Sequence, residues 1–160
     1  MERDAPFMPT HMKGSIVENV KKINEQLTVA GQLTPEQLQQ AAEEGYKSVL
    51  NLRSPDEEGF LSDEGPLAEA LGLQYVHIPV KTSEINDELT GTVLQQIDLL
   101  PKPALIHCAS GMRAGAMAFM NVATRQGMRA EQVFERAHQL GFNCANPQMK
   151  EFFEQYVAAH

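Results

Sequence analysis

Cys108 and Arg113, within the stretch Ala104-Leu105-Ile106-His107-Cys108-Ala109-Ser110-Gly111-Met112-Arg113-Ala114-Gly115, are the residues whose types and spacing could do covalent chemistry on an anion. A thiolate attacks electrophiles, and a guanidinium presents a rigid fork that matches two oxygens of a phosphate. Pro103 to His107 is a short apolar run that reads as a buried parallel strand. From Ala116 to Gly127 the chain is apolar at nearly every step, as in a buried helix. Between them lies a tight loop with Cys108 at its start and Arg113 at its end. The first N–H groups of a helix lack intrahelical partners and sit at the positive end of its dipole, so an anion, a thiolate included, is stabilised there. Gly111 permits a turn that a residue with a Cβ resists. A cysteine after an apolar strand often serves only as a small buried hydrophobe. Here His107 before it, and Gly111 and Arg113 after it, point to function instead.

Elements elsewhere in the chain must position this loop. Leu27 to Ala30, ending at Gly31, reads as a strand, and Thr34-Pro35-Glu36-Gln37 supplies an N-cap, a first-turn proline and a capping box for a helix over 35–44. Tyr46 to Leu52 is a second strand ending at Arg53, with Ser54-Pro55-Asp56 as the turn. A short helix over 66–71 precedes a third strand, Leu73 to Val80. The polar loop from Lys81 to Asp87 follows, and Asn86 or Asp87 caps a helix that runs to Leu100. Two more helices are expected over 130–140 and 147–159, the latter with Met149, Phe152, Phe153, Tyr156 and Val157 facing the core.

Strands alternating with helices predict an α/β fold, a mostly parallel sheet of four to five strands with helices on both faces. Ligands of such sheets bind beyond the carboxyl ends of the strands. That rule brings Arg53, and the loop bearing Thr82, Glu84 and Asp87, to the edge that holds Cys108. Arg53 could line the pocket or orient its loops, a surface salt bridge being the competing reading. Asp56-Glu57-Glu58 reads as a solvated acidic loop. Residues 1–14 mix Pro, Met and charges without periodicity and read as a flexible lead-in, leaving 15–160 as one domain.

Composition narrows the classes of function. A chain of 160 residues, 42% hydrophobic and 21% charged, suits one globular domain with a real core. No apolar run approaches the length of a membrane span, and the start lacks a basic stretch followed by an apolar one, so a cytoplasmic protein is expected. The net charge of −8 argues against nucleic acid or an anionic membrane as partner. An anionic ligand would be held locally by the loop and Arg113, which favours a small or singly phosphorylated molecule over a polyanion. The two cysteines, Cys108 and Cys144, make neither a disulfide scaffold nor a zinc pattern. Cys144 reads as buried filler or, if it approaches Cys108, as a thiol that resolves a sulfenic acid or persulfide.

The run His107-Cys108-Ala109-Ser110-Gly111-Met112-Arg113 resembles the signature loop of cysteine-dependent protein phosphatases. The chain from about Leu27 to Arg113 is similar to one bacterial branch of them, the phosphatase-like domain also found fused in beta-lactamase-hydrolase-like proteins. The matching stretches are Val29-Ala30-Gly31-Gln32, Gly45 to Arg53, and Tyr75-Val76-His77-Ile78-Pro79-Val80. The resemblance implies that Cys108 attacks phosphorus to give a phosphocysteine that water hydrolyses, without metal or cofactor. It implies that Arg113 and the amides of Ala109, Ser110, Gly111, Met112 and Arg113 hold the phosphoryl oxygens, with His107 supporting the loop from the strand side. The partner implied is a phosphorylated small molecule or a phosphoprotein.

Three departures accompany the likeness. Four residues separate Cys108 from Arg113, where the phosphatases usually have five. Ala114 stands where they carry a hydroxyl that eases hydrolysis of the intermediate. Thr82 falls where their general acid is an Asp, which leaves Glu84 or Asp87 to donate the proton, Asp87 being favoured against its competing reading as a helix cap. The short loop also resembles that of rhodanese-type sulfurtransferases, in which the cysteine carries a persulfide. A non-catalytic oxyanion-binding module is the third reading.

Overall fold

The computed structural model describes residues 20–142 and 146–160. Five strands form one sheet in the order β1-β2-β5-β3-β4: β1 (Val20–Lys22), β2 (Leu27–Ala30), β3 (Ser48–Asn51), β4 (Gln74–His77) and β5 (Ala104–His107). All neighbours are parallel except β1, which pairs antiparallel with β2. The three central strands β2, β3 and β5 are buried along their whole length, as expected of apolar runs covered on both faces. Strand β1 was not anticipated, because its three residues are too few to show a period.

Side chains alternate between the two faces along each central strand. Val29, Leu50 and Ile106 enter one core, whereas Ala30, Val49 and Leu105 enter the other. The first core is covered by α3 (Asp87–Leu99), α4 (Met112–Gln126), α5 (Ala130–Gln139) and α6 (Pro147–Ala159). The second is covered by α1 (Pro35–Glu43) and α2 (Glu64–Ala70). Helices on both faces of a mostly parallel sheet are the architecture the sequence predicts.

Helix α1 starts as its residues dictate: the Thr34 side chain accepts from the Gln37 N–H, and the Gln37 side chain accepts from the Thr34 N–H. The cap of α3 is Asn86, whose Oδ1 accepts from the Leu89 N–H at 2.7 Å, so Asp87 is not the cap. Helix α4 starts at Met112, four residues before the apolar run begins, with the charged Arg113 and a glycine in its first turn. Arg113 therefore lies on the helix rather than at the end of the loop. From Ala114 to Ala123 every residue of α4 is buried, and side chains such as Met117 and Met120 each contribute on the order of 1.5–3 kcal/mol by leaving water.

The register sets the site. Ala30 stands opposite His107, His107 opposite Asn51, and Asn51 opposite His77. The carboxyl ends of four parallel strands are level, and the residues that follow them emerge along one edge. The lead-in over 1–14 and Cys144 lie outside the described residues.

Candidate active site

Cys108 leaves the end of β5 and enters the turn that begins α4. Its side chain is fully buried, and its sulfur accepts the backbone N–H of Gly111 at 3.1 Å and that of Ala114 at 3.5 Å. Gly111 makes this possible. It is the N-cap of α4 with φ 98°, a left-handed conformation that favours glycine, and it brings no side chain to compete for the free N–H groups of the first turn. The Ala114 amide was not among the expected donors. Of those that were, the Met112 N–H turns to the Ser110 hydroxyl at 3.4 Å.

The loop is anchored to the end of β2. Cys108 N–H donates to the Ala30 carbonyl at 3.2 Å, and Gln32 N–H donates to the Ala109 carbonyl at 3.0 Å. Gly31 permits that approach, since a Cβ there would stand 2.9 Å from the Ala109 carbonyl oxygen.

Arg113 reaches from the first turn of α4 toward the ends of β3 and β4. Its NH1 donates to Glu57 Oε2 at 2.6 Å and to the Val80 carbonyl at 2.8 Å, and its NH2 donates to Glu57 Oε1 at 3.0 Å. A guanidinium has five N–H groups. These contacts leave the edge made by Nε and the second NH2 hydrogen, one side of the fork that grips an oxyanion, with the Cys108 sulfur within its reach. The Glu57 carboxylate chiefly, opposed by burial and helped by the nearby Cys108 sulfur, raises the Arg113 pKa and keeps the clamp charged.

Glu57 corrects the reading of Asp56-Glu57-Glu58 as a solvated loop. Its carboxylate holds Arg113 from one side, takes Arg53 Nε at 3.0 Å from the other, and accepts the Ser54 N–H at 2.8 Å. Chiefly through the Arg113 hydrogen bond, opposed by burial and helped by the Ser54 amide and Arg53, its pKa is pulled down to about 2. Arg53 is itself buried, at 4% exposure, so its ion pair with Glu57 is not a surface salt bridge. Besides Glu57 it donates to the Glu58 carbonyl at 2.6 Å, the Gly59 carbonyl at 3.1 Å and Gln32 Oε1 at 2.7 Å.

Gln32 carries the network onward. Its Nε2 donates to Glu64 Oε1 at 2.9 Å, and the other Glu64 oxygen lies 2.5 Å from His107 Nε2. Both His107 and Glu64 are buried, and the His107 Nδ1 faces the Cys108 carbonyl at 3.3 Å. His107 thus lies behind the loop on the strand side, with Glu64 behind it. A continuous path of polar contacts runs from His107 through Glu64, Gln32, Arg53 and Glu57 to Arg113. Glu57 stands four residues after Arg53, a spacing that carried a usable signal. Glu64 is brought in only by the packing of α2 and left no local trace in the sequence.

Thr82 and Glu84 form a single exposed 3₁₀ turn, Thr82–Glu84, and Asp87 opens α3 with Oδ2 3.7 Å from His160 Nε2. No hydrogen bond or ion pair among the described residues links these three to the Cys108–Arg113 loop. The segment that bears them nevertheless starts at Val80, whose carbonyl Arg113 holds.

Comparison with known proteins gives the family. The family model described as beta-lactamase hydrolase-like protein, phosphatase-like domain, matches residues 19–129. A beta-lactamase hydrolase-like protein of Xylella fastidiosa (strain Temecula1) is 28% identical over 125 residues, 76% of this chain and 29% of that protein. The chain spans about a third of the length of the curated relatives it matches. A candidate phosphatase of Neisseria meningitidis Z2491 is 25% identical, with 85% of this chain and 96% of that one covered and a TM-score of 0.72. A candidate phosphatase of Shewanella putrefaciens CN-32 is 23% identical over 88% of this chain and 92% of the other, with a TM-score of 0.75. A family match over residues 19–129, which include the whole sheet and the Cys108–Arg113 loop, places the chain in the phosphatase-like domain family of the beta-lactamase hydrolase-like proteins.

Proposed function

We propose that the chain hydrolyses phosphate monoesters through a phosphocysteine on Cys108. The observation that carries this reading is the sulfur held by two main-chain N–H groups at the mouth of α4, with the guanidinium of Arg113 beside it. The Cys108 sulfur attacks phosphorus, the P–S bond forms, and the ester P–O bond breaks with the electron pair leaving on the alcohol oxygen. Arg113 and the loop amides hold the non-bridging oxygens, stabilising the charge of the transition state. Water then attacks phosphorus, breaks the P–S bond and releases inorganic phosphate and the thiolate.

Asp87 donates the proton to the departing alkoxide, which requires it to leave His160 and turn toward the loop. An aryl oxide needs this help less than an alkoxide does.

Release of phosphate from p-nitrophenyl phosphate tests the reading. Turnover is expected to vanish in Cys108→Ser and to fall by about 10²-fold or more in Arg113→Ala, the scale seen when an oxyanion donor is removed. Asp87→Asn is expected to slow alkyl phosphates far more than the nitrophenyl ester. Turnover that persists in Cys108→Ser would overturn the reading, and thiocyanate formation from thiosulfate and cyanide in its place would mark a sulfurtransferase.

A further inference from the structure

A cavity of about 560 Å³ lies against the same loop, on the side of α4 turned away from Arg113 and Glu57. One wall is formed by Ser110, Gly111 and Met112 themselves, so the cavity borders the anion cradle across the loop, while Cys108 and Arg113 do not line it. Its interior is hydrocarbon, made by Val29, Phe119, Val133, Phe134, Phe142 and Phe153. At Gly115, one turn beyond Gly111, the ring of Phe142 comes so close that a Cβ would stand 2.8 Å from it, and the helix face there carries only Gly115 and Ala116. Met112 lies where cradle and cavity meet. It is one of two large apolar side chains left exposed among the described residues, at 39%.

The chain has 21 acidic residues against 13 Lys and Arg, yet among the described residues the walls hold Lys21 and Lys150 and no carboxylate. A hydrophobic chamber with two lysines in its walls, bordered by an oxyanion loop, fits an amphiphile whose anionic end is a phosphate. Sites of about 300–1,000 Å³ enclose drug-sized ligands, so this volume exceeds the needs of a single phenyl ring.

We propose that this cavity is the leaving-group subsite of the Cys108 centre, and that the substrate is a phosphate monoester of a long-chain alcohol. The phosphoryl group sits in the loop, the first carbons pass over Met112, and the chain lies among the phenyl rings. This assignment rests on the phosphatase reading above and adds to it the chemistry of the alcohol.

Steady-state kinetics on a homologous series of alkyl phosphates, butyl to decyl, tests the proposal, with p-nitrophenyl phosphate as the reference for chemistry alone. In the unmodified protein kcat/KM is expected to rise by at least about tenfold along the series, since each buried methylene is favourable. In Ala137→Phe and in Ala116→Leu, each confirmed folded by its circular dichroism melt, the decyl-to-butyl ratio is expected to fall to near unity because the added carbons fill the chamber. A flat series in the unmodified protein, alongside turnover of the nitrophenyl ester, would overturn the subsite and leave the phosphatase reading standing. Should no ester turn over, calorimetry with butyl- and decylphosphonate reads the cavity independently of chemistry. Tighter binding of the decyl compound supports the subsite, and equal or absent binding overturns it.

Discussion

Glu57 is held by two arginines and a backbone amide at once, and the consequences can be measured. Its carboxyl titrates near 2 rather than at the ordinary 4.5, so the folded state favours the charged form. The stabilisation is complete above the ordinary value and is lost as pH falls from about 4.5 toward 2. Urea unfolding across that range should show a stability drop that Glu57→Gln makes shallower. Asp98, held by Arg125, also titrates below its ordinary value and keeps the variant from becoming flat. The same variant removes the charge that orients Arg113. Its kcat/KM for p-nitrophenyl phosphate should fall by about tenfold or more, because misplacing a positioned group costs rate steeply. A Glu57→Gln protein with unaltered acid stability and unaltered kinetics would show that the carboxylate is incidental.

At the scale of elements, the strand-loop-helix unit β5-α4 was legible because its parts are local: an apolar run, a cysteine, a left-handed glycine and a helix in sequence order. Thr34 to Gln37 was legible for the same reason, since a capping box lies within four residues. What joins distant elements was not. Arg53, Gln32 and Glu64 meet only because β2 and β3 end, and α2 begins, at one edge, and their spacing in the chain does not encode that meeting. Glu57 was misread because an acidic run after a turn is solvated unless a buried arginine faces it, and the burial of Arg53 is a tertiary fact. The boundary of α4 was missed because the apolar run that marked the helix begins after a first turn holding the charged Arg113 and a glycine.

Gly31 offers a test at this scale, as its bare backbone lets β2 meet the loop. Gly31→Ala places a methyl 2.9 Å from the Ala109 carbonyl oxygen and forces the loop away. Thermal unfolding should show a loss of roughly 1–3 kcal/mol, with a fall in kcat/KM larger than that loss explains. An alanine variant as active and as stable as the parent would mean that the contact between β2 and the loop sets nothing.

For the whole molecule, one sheet separates two cores, so damage to one face should not be felt on the other. Leu38 belongs to the face under α1, and Met117 to the face under α4. Alanine at either position should cost roughly 2–5 kcal/mol, and the double variant should match the sum within about 0.5 kcal/mol. A strong interaction between them would contradict two independent cores. Both cores converge on the carboxyl edge of the sheet, where the ends of β2, β3 and β5 supply the anchors of a single sulfur. Rapid acid quench with p-nitrophenyl phosphate, followed by mass spectrometry of the digest, bears most directly on what that sulfur does. The peptide containing Cys108 should gain one phosphoryl group, in an adduct that is absent from Cys108→Ser. Turnover with no phosphoryl group on Cys108 at any quench time, or with the adduct on another residue, would contradict the account.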